Sequence, residues 1–174
     1  MRQTGVTERP GTAYQGGWLP VARRAAALLT AGGALAVMAG CSGPAPGQAA
    51  LPVITARSVP GLGTILVNAK GHALYMFVPD GHRKVTCTNE CAAVWPPVML
   101  PAGSAAKAGA GARPALLGSD PDPSGGRVVT YAGWPLYTYV SDIRPGRAAG
   151  QALDLNGGLW YVMRPSGAIV RSAR

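Results

Sequence analysis

Phenylalanine occurs once in this chain and acidic residues only seven times, and neither shortage is offset by helical patterning. With a single phenylalanine, much of the large apolar area must come from four tryptophans and six tyrosines. Past residue 41 no apolar periodicity supports a helix longer than about two turns, which points away from helical folds. The nucleophile elbow, the phosphate-binding loop and the HExxH zinc signature are all missing, so no enzyme class is indicated. Cys-x-x-Cys-His is missing too, which excludes covalently attached haem. Nor is positive charge clustered: Arg83-Lys84 is the only adjacent basic pair after residue 41, and no basic helix face exists to meet a nucleic acid.

What is present begins with an export signal. Arg23 and Arg24 precede a nearly uncharged run, Ala25 to Met38, which meets Ala39-Gly40-Cys41-Ser42. A positive segment, a short apolar segment and small residues before a cleavage point predict a signal peptide over residues 1–40, with residues 1–22 a long leading segment or the product of an early start codon. The apolar run falls well short of the roughly 20 residues a membrane-spanning helix needs. Small residues before a cysteine resemble the bacterial lipobox, with Met38 where that pattern prefers leucine. The resemblance implies that Cys41 becomes the lipidated first residue, anchored to the outer face of the cell membrane. Residues 42–52, rich in Pro, Gly and Ala, then read as a flexible tether. Four of the sixteen basic residues and one of the seven acids precede Cys41, so the remainder carries twelve against six, a moderate net charge of +6. That suits a basic surface beside an anionic envelope polymer, or contact with another envelope protein.

The body of the chain repeats itself. Leu74-Tyr75-Met76-Phe77-Val78-Pro79-Asp80 returns 62 positions later as Leu136-Tyr137-Thr138-Tyr139-Val140-Ser141-Asp142. A glycine (Gly71, Gly133) stands three residues before each leucine, and a tryptophan (Trp95, Trp160) follows each aspartate after a loop. In the first copy, the β-branched runs Val53–Ala56 and Thr64–Val67 flank Pro60-Gly61, and Leu74–Val78 is expected to return as their partner strand. Tyr75 and Phe77 share one face of that strand and Leu74, Met76 and Val78 the other; both are apolar, so the strand should be covered on both sides. In the second copy Arg127–Tyr131, a turn at Ala132-Gly133 and Leu136–Val140 repeat the plan. A last hairpin runs from Leu159–Met163 to Ala168–Arg171 across Pro165-Ser166-Gly167. Thr88 or Asn89 should cap a short helix that stops at Pro96-Pro97. The Ala/Gly-rich stretch from Pro101 has nothing to bury and is expected to be a mobile excursion, with Leu116-Leu117 touching the core and Asp120–Gly126 forming turns. The prediction is an all-β domain over residues 53–174: two related hairpin units, about 53–100 and 127–174, sharing one sandwich- or barrel-like core and joined by a mobile segment 101–126, with one short helix near the Cys-x-x-x-Cys turn.

Gly-x-x-Leu-Tyr-x-aromatic-Val-x-Asp twice, Cys87-x-x-x-Cys91-Ala92-x-x-Trp95-Pro96-Pro97 between, and Gly150-Gln151 with Gly158-Leu159-Trp160-Tyr161-Val162 resemble the bacterial secreted lipoprotein repeat family, whose members carry a Tyr-x-(Phe/Trp/Tyr)-x-x-Asp motif. The resemblance covers roughly residues 53–170 and implies export and a shared fold more than an activity. Asn89 departs from it, standing where relatives often carry glycine. Asparagine tolerates left-handed geometry best among non-glycine residues, so the turn should survive.

Each candidate site has an ordinary alternative. Tyr75, Phe77 and Asp80, with Tyr137, Tyr139 and Asp142, could hold a sugar or flat ligand, but two copies favour a repeated brace in which buried hydroxyls and carboxylates satisfy one another's surroundings. Glycoside hydrolysis by Asp80 and Asp142 would need a defined gap across one bond, which sequence spacing cannot supply. Outside the cytoplasm Cys87 and Cys91 are most simply a disulfide. As thiolates they could instead bind copper with His82 or His72, though a thioredoxin-like α/β pattern is lacking. Non-covalent haem, on a histidine and one of Met76, Met99 or Met163, competes with core packing, the ordinary work of a strand methionine. No cofactor is therefore expected, with haem or copper as the alternative. Trp95, Trp134 and Trp160 should fill the core, and Trp134, in a turn beside Pro135, is the best ligand-contacting ring if it is exposed.

Overall fold

The computed structural model describes residues 50–171. The expected signal peptide, Cys41 and most of the tether lie outside them. Strands β1 (Val53–Val59) and β2 (Gly63–Asn68) form the first hairpin, in register from Ile54 opposite Asn68 to Val59 opposite Gly63. The chain then turns at Asn68, whose side-chain oxygen accepts from the Lys70 and His72 amides, and Gly71 takes a φ of +83°.

Strand β3 (Tyr75–Phe77) corrects one expectation. It does not itself pair with β2; only the residues before it do, through the Val67–Ala73 bridge and the Asn68 amide to His72 carbonyl and Leu74 amide to Leu66 carbonyl bonds. Its partner is a distant strand of the second copy, described below, and Tyr75 also bridges to Tyr137. The alternation explains why. Tyr75 and Phe77 enter one apolar cluster while Leu74 and Met76 enter another, so the strand has to lie between two layers.

Helix α1 (Glu90–Val94) follows Asn89, whose φ of +52° realises the tolerance expected of that residue. No side chain caps it, contrary to expectation. A capping residue needs an extended backbone to reach the first helical amides, and Asn89 has given that up to make the tight turn. The helix stops where Pro96 and Pro97 begin.

Next come β4 (Met99–Leu100) and β5 (Lys107–Ala108), then β6 (Leu117–Pro121) and β7 (Arg127–Tyr131). The segment expected to be a mobile excursion is therefore built into sheets: β5 lies parallel to β1, and β6 pairs along the whole of β7. Its small residues permit close approach rather than signalling a lack of packing. A Cβ on Gly109 would collide with Thr55, and one on Gly111 would lie 2.7 Å from the Ala56 Cβ. Asp120 and Pro121 belong to β6, so the turn is confined to Asp122–Gly126, where the Asp122 carboxylate accepts from the Ser124 amide and hydroxyl.

Ala132 and Gly133, both at positive φ, turn β7 into β8 (Trp134–Pro135). The return strand expected over Leu136–Val140 leaves β7 at once, and Tyr137 crosses to bridge Tyr75 and Pro97. Strands β9 (Asp154–Leu155) and β10 (Gly158–Val162) complete the set; β10 is the partner of β3, with Trp160 opposite Phe77. Beyond it the last hairpin turns across Pro165-Ser166-Gly167, held by the Met163–Ile169 bridge and by the Arg164 amide to Ala168 carbonyl and Val170 amide to Val162 carbonyl bonds. Three open sheets result: β2-β1-β5, β3-β10-β9 and β4-β7-β6 with β8 on β7. The fold is all-β with two related units around one core, as the sequence predicts.

The candidate functional site: a reciprocal tyrosine–aspartate brace

The repeated motif residues meet across the two copies, not within them. The Tyr75 hydroxyl donates to Asp142 Oδ2 at 2.5 Å, and the Tyr137 hydroxyl donates to Asp80 Oδ2 at 2.6 Å. Tyr75 and Tyr137 are fully buried, and the two aspartates are nearly so. Each carboxylate also gathers the loop it opens. Asp80 accepts from the amide and hydroxyl of Thr86, and Asp142 accepts from the amide of Ala149. The Tyr75 phenol oxygen in turn receives the Gly150 amide.

The loops themselves are exchanged. The loop after Asp80 lies on the second copy's turn glycine, with the Arg83 amide donating to the Gly133 carbonyl. The loop after Asp142 lies on the first copy's, with the Gly146 amide donating to the Gly71 carbonyl. Cβ atoms on these glycines would meet His82 at 2.9 Å and Pro145 at 3.2 Å, which is why the motif begins with glycine.

The aromatic residues show the same symmetry. Trp95 and Trp160 stack in parallel at 3.9 Å; Tyr139 lies on the far side of Trp95 at 4.1 Å and Phe77 on the far side of Trp160 at 4.1 Å. Tyr75 meets Trp95 edge-on at 5.3 Å, as Tyr137 meets Trp160 at 5.2 Å. Four stacked rings thus run through the core between the braces. Gly150 admits this: a Cβ there would lie 2.5 Å from Trp95 Cη2 and 2.9 Å from Tyr75 Cε1.

Burial, and then the bond to Asp142, pushes the Tyr75 phenol far above its usual value; burial, and then the bond to Asp80, does the same to Tyr137. Burial raises the Asp80 carboxyl, against the opposing pull of its Thr86 and Tyr137 donors. The pH consequence of the phenols has a definite sign. In the unfolded chain both ionise near pH 10, whereas in the fold they stay protonated, so their contribution is complete below about pH 10 and falls above it by about 2.7 kcal/mol per pH unit for the two together. In an alkaline titration followed by phenolate absorbance, the phenols of Tyr75 and Tyr137 should appear only as the protein unfolds.

Cys87 and Cys91 form the expected disulfide, with Cα atoms 5.2 Å apart. The alternative metal set is not brought together: the cysteines are bonded to each other, His72 Nδ1 lies 2.7 Å from the Asp142 carbonyl oxygen, and His82 packs on Trp134 at 4.5 Å. Among the described residues no three of His, Cys, Asp and Glu are grouped for a metal. Met76 and Met163 are buried in the core, while Met99 is 40% exposed. Trp134 is half-buried rather than open. Sequence reasoning missed the exchange between copies.

Neither the curated proteins nor the solved structures yield a match to this chain. Among the described residues no helix is long and apolar enough to cross a membrane. A family model described as a secreted repeat of unknown function matches twice, over residues 58–99 and 120–164, and so spans both brace halves and both core tryptophans. By that double match, laid over two units that exchange their tyrosine–aspartate contacts, the chain belongs to this family of secreted repeat proteins.

Proposed function

We propose that the protein is a lipoprotein held to the outer face of the cell membrane through Cys41, and that its β domain is a non-catalytic binding module for another envelope component. One observation carries the reading: the buried phenols and carboxylates of the repeated motif are spent on each other and on backbone amides of their own loops. A carboxylate saturated by internal donors is poorly placed to act as acid, base or nucleophile on a substrate. The domain works without a resident cofactor in this reading, since the disulfide consumes both thiolates that copper would use. Family membership supports export.

Cell fractionation tests the anchor. The wild-type chain should partition with membranes and incorporate labelled fatty acid, whereas Cys41→Ala should do neither. A visible absorption spectrum of the purified protein tests the rest, and a Soret band or a copper charge-transfer band would overturn the cofactor-free reading.

A further inference from the structure

We propose that the outer edge of β6 is a docking site at which an extended peptide segment of an envelope protein joins the sheet as an added strand. The inference rests on the binding-module reading and gives it a location and a partner class. In β7 the Val129 amide donates to the Val98 carbonyl and the Val129 carbonyl accepts from Leu136, so Val129 faces away from β6. Ser119 stands opposite Val129 and Leu117 opposite Tyr131. By the alternation of an antiparallel ladder, the main-chain groups of Leu117 and Ser119 therefore point outward. The Ser119 carbonyl is covered by the guanidinium of Arg127, which is exposed. The Leu117 amide is taken by the Pro114 carbonyl, which leaves the Leu117 carbonyl and the Ser119 amide as the outward groups without a recorded partner among the described residues. Such an edge is a ready template for strand addition.

Both sides of this edge carry grooves into which alternate side chains of an added strand would point. One, of about 460 Å³, is lined by Arg83, Gly118, Asp120 and Thr130; the other, of about 300 Å³, by Leu100, Ala106, Ala108, Pro114 and Leu117. Asp120 is 9% exposed, and its Oδ2 has no hydrogen-bond partner. A guanidinium and a carboxylate in one groove offer a donor and an acceptor together. An acidic side chain would be repelled by Asp120 and a basic one by Arg83, whereas a carboxamide satisfies both. The second groove takes small apolar side chains. The partner is thus an extended segment alternating Gln or Asn with small apolar residues.

The probe is a capped hexapeptide alternating glutamine and valine, added to the full chain in detergent and followed by hydrogen exchange and fluorescence titration. Binding should slow exchange across residues 117–121. Ser119→Pro removes an outward donor without breaking a ladder bond, and should weaken binding at least about ten-fold while leaving the melting temperature near wild type. Arg127→Ala uncovers the Ser119 carbonyl and should tighten binding about two- to five-fold. No protection of residues 117–121 at about 1 mM peptide, or equal affinity in Ser119→Pro, overturns the proposal. Concentration-dependent dimers that Ser119→Pro abolishes overturn it in favour of a second copy as occupant. Membrane retention through Cys41 is scored separately, so the two readings fail independently.

Discussion

Replacing Trp160 with alanine should cost about 3–5 kcal/mol, enough to unfold a large fraction of a domain of ordinary stability. The ring is completely buried and touched on every side by other rings: Trp95 on one face, Phe77 on the other, and Tyr137 against its edge. Its indole N–H is matched to the Leu155 carbonyl at 2.9 Å, so the truncation opens a cavity and also leaves an acceptor unmatched. Trp95→Ala should be somewhat milder, because the outer neighbour of Trp95 is the half-buried Tyr139, whereas Phe77 is 3% exposed. Urea denaturation of both variants checks the order. Trp160→Phe, which keeps a ring in the stack, should recover more than half of the loss. If Trp160→Ala melted within about 1 kcal/mol of wild type, the stack would not be the centre of the core.

The core was legible where local rules and the global fold agree. A strand such as Leu74–Phe77, apolar on both faces, can only lie between two layers, and it does. Asn89 could be read as a positive-φ residue because few other side chains tolerate that turn. The repeat itself was plain from the 62-residue offset. Pairing partners were not legible, because a period of two states which face is buried and says nothing of which strand lies alongside. Hence β3 was assigned to β2, although its register runs to β10. Residues 101–126 were read as unstructured because alanine and glycine offer little area to bury. What those residues provide is the absence of bulk, which lets the backbone of Gly109 and Gly111 lie against β1. The β6 sequence, Leu-Gly-Ser-Asp-Pro, carries no β-branched residue and took its strand form from β7. For the site, the repeat singles out the tyrosines and aspartates, while the exchange of their hydrogen bonds between copies is tertiary information.

That exchange makes a sharper claim than burial alone, and a double-mutant cycle isolates it. Tyr75→Phe should lower stability by about 1–3 kcal/mol, since it deletes a buried hydroxyl that both donates to Asp142 and accepts from the Gly150 amide. Asp142→Ala should cost more, about 3–5 kcal/mol, because it strands the buried Tyr75 hydroxyl and frees the Ala149 amide that held the loop. Combining the two removes donor and acceptor together, so the double variant should fall short of the sum of the singles by about 1–2 kcal/mol. The same cycle on Tyr137→Phe and Asp80→Ala should give a coupling of similar size, since Thr86 repeats the part played by Ala149. The crossed pairing of Tyr75→Phe with Asp80→Ala supplies the control. Those residues belong to one copy and make no direct bond, so their effects should add within about 0.5 kcal/mol. Coupling within a copy rather than between copies would mean that each unit braces itself, and the fold would then be two adjoining hairpins instead of one exchanged structure.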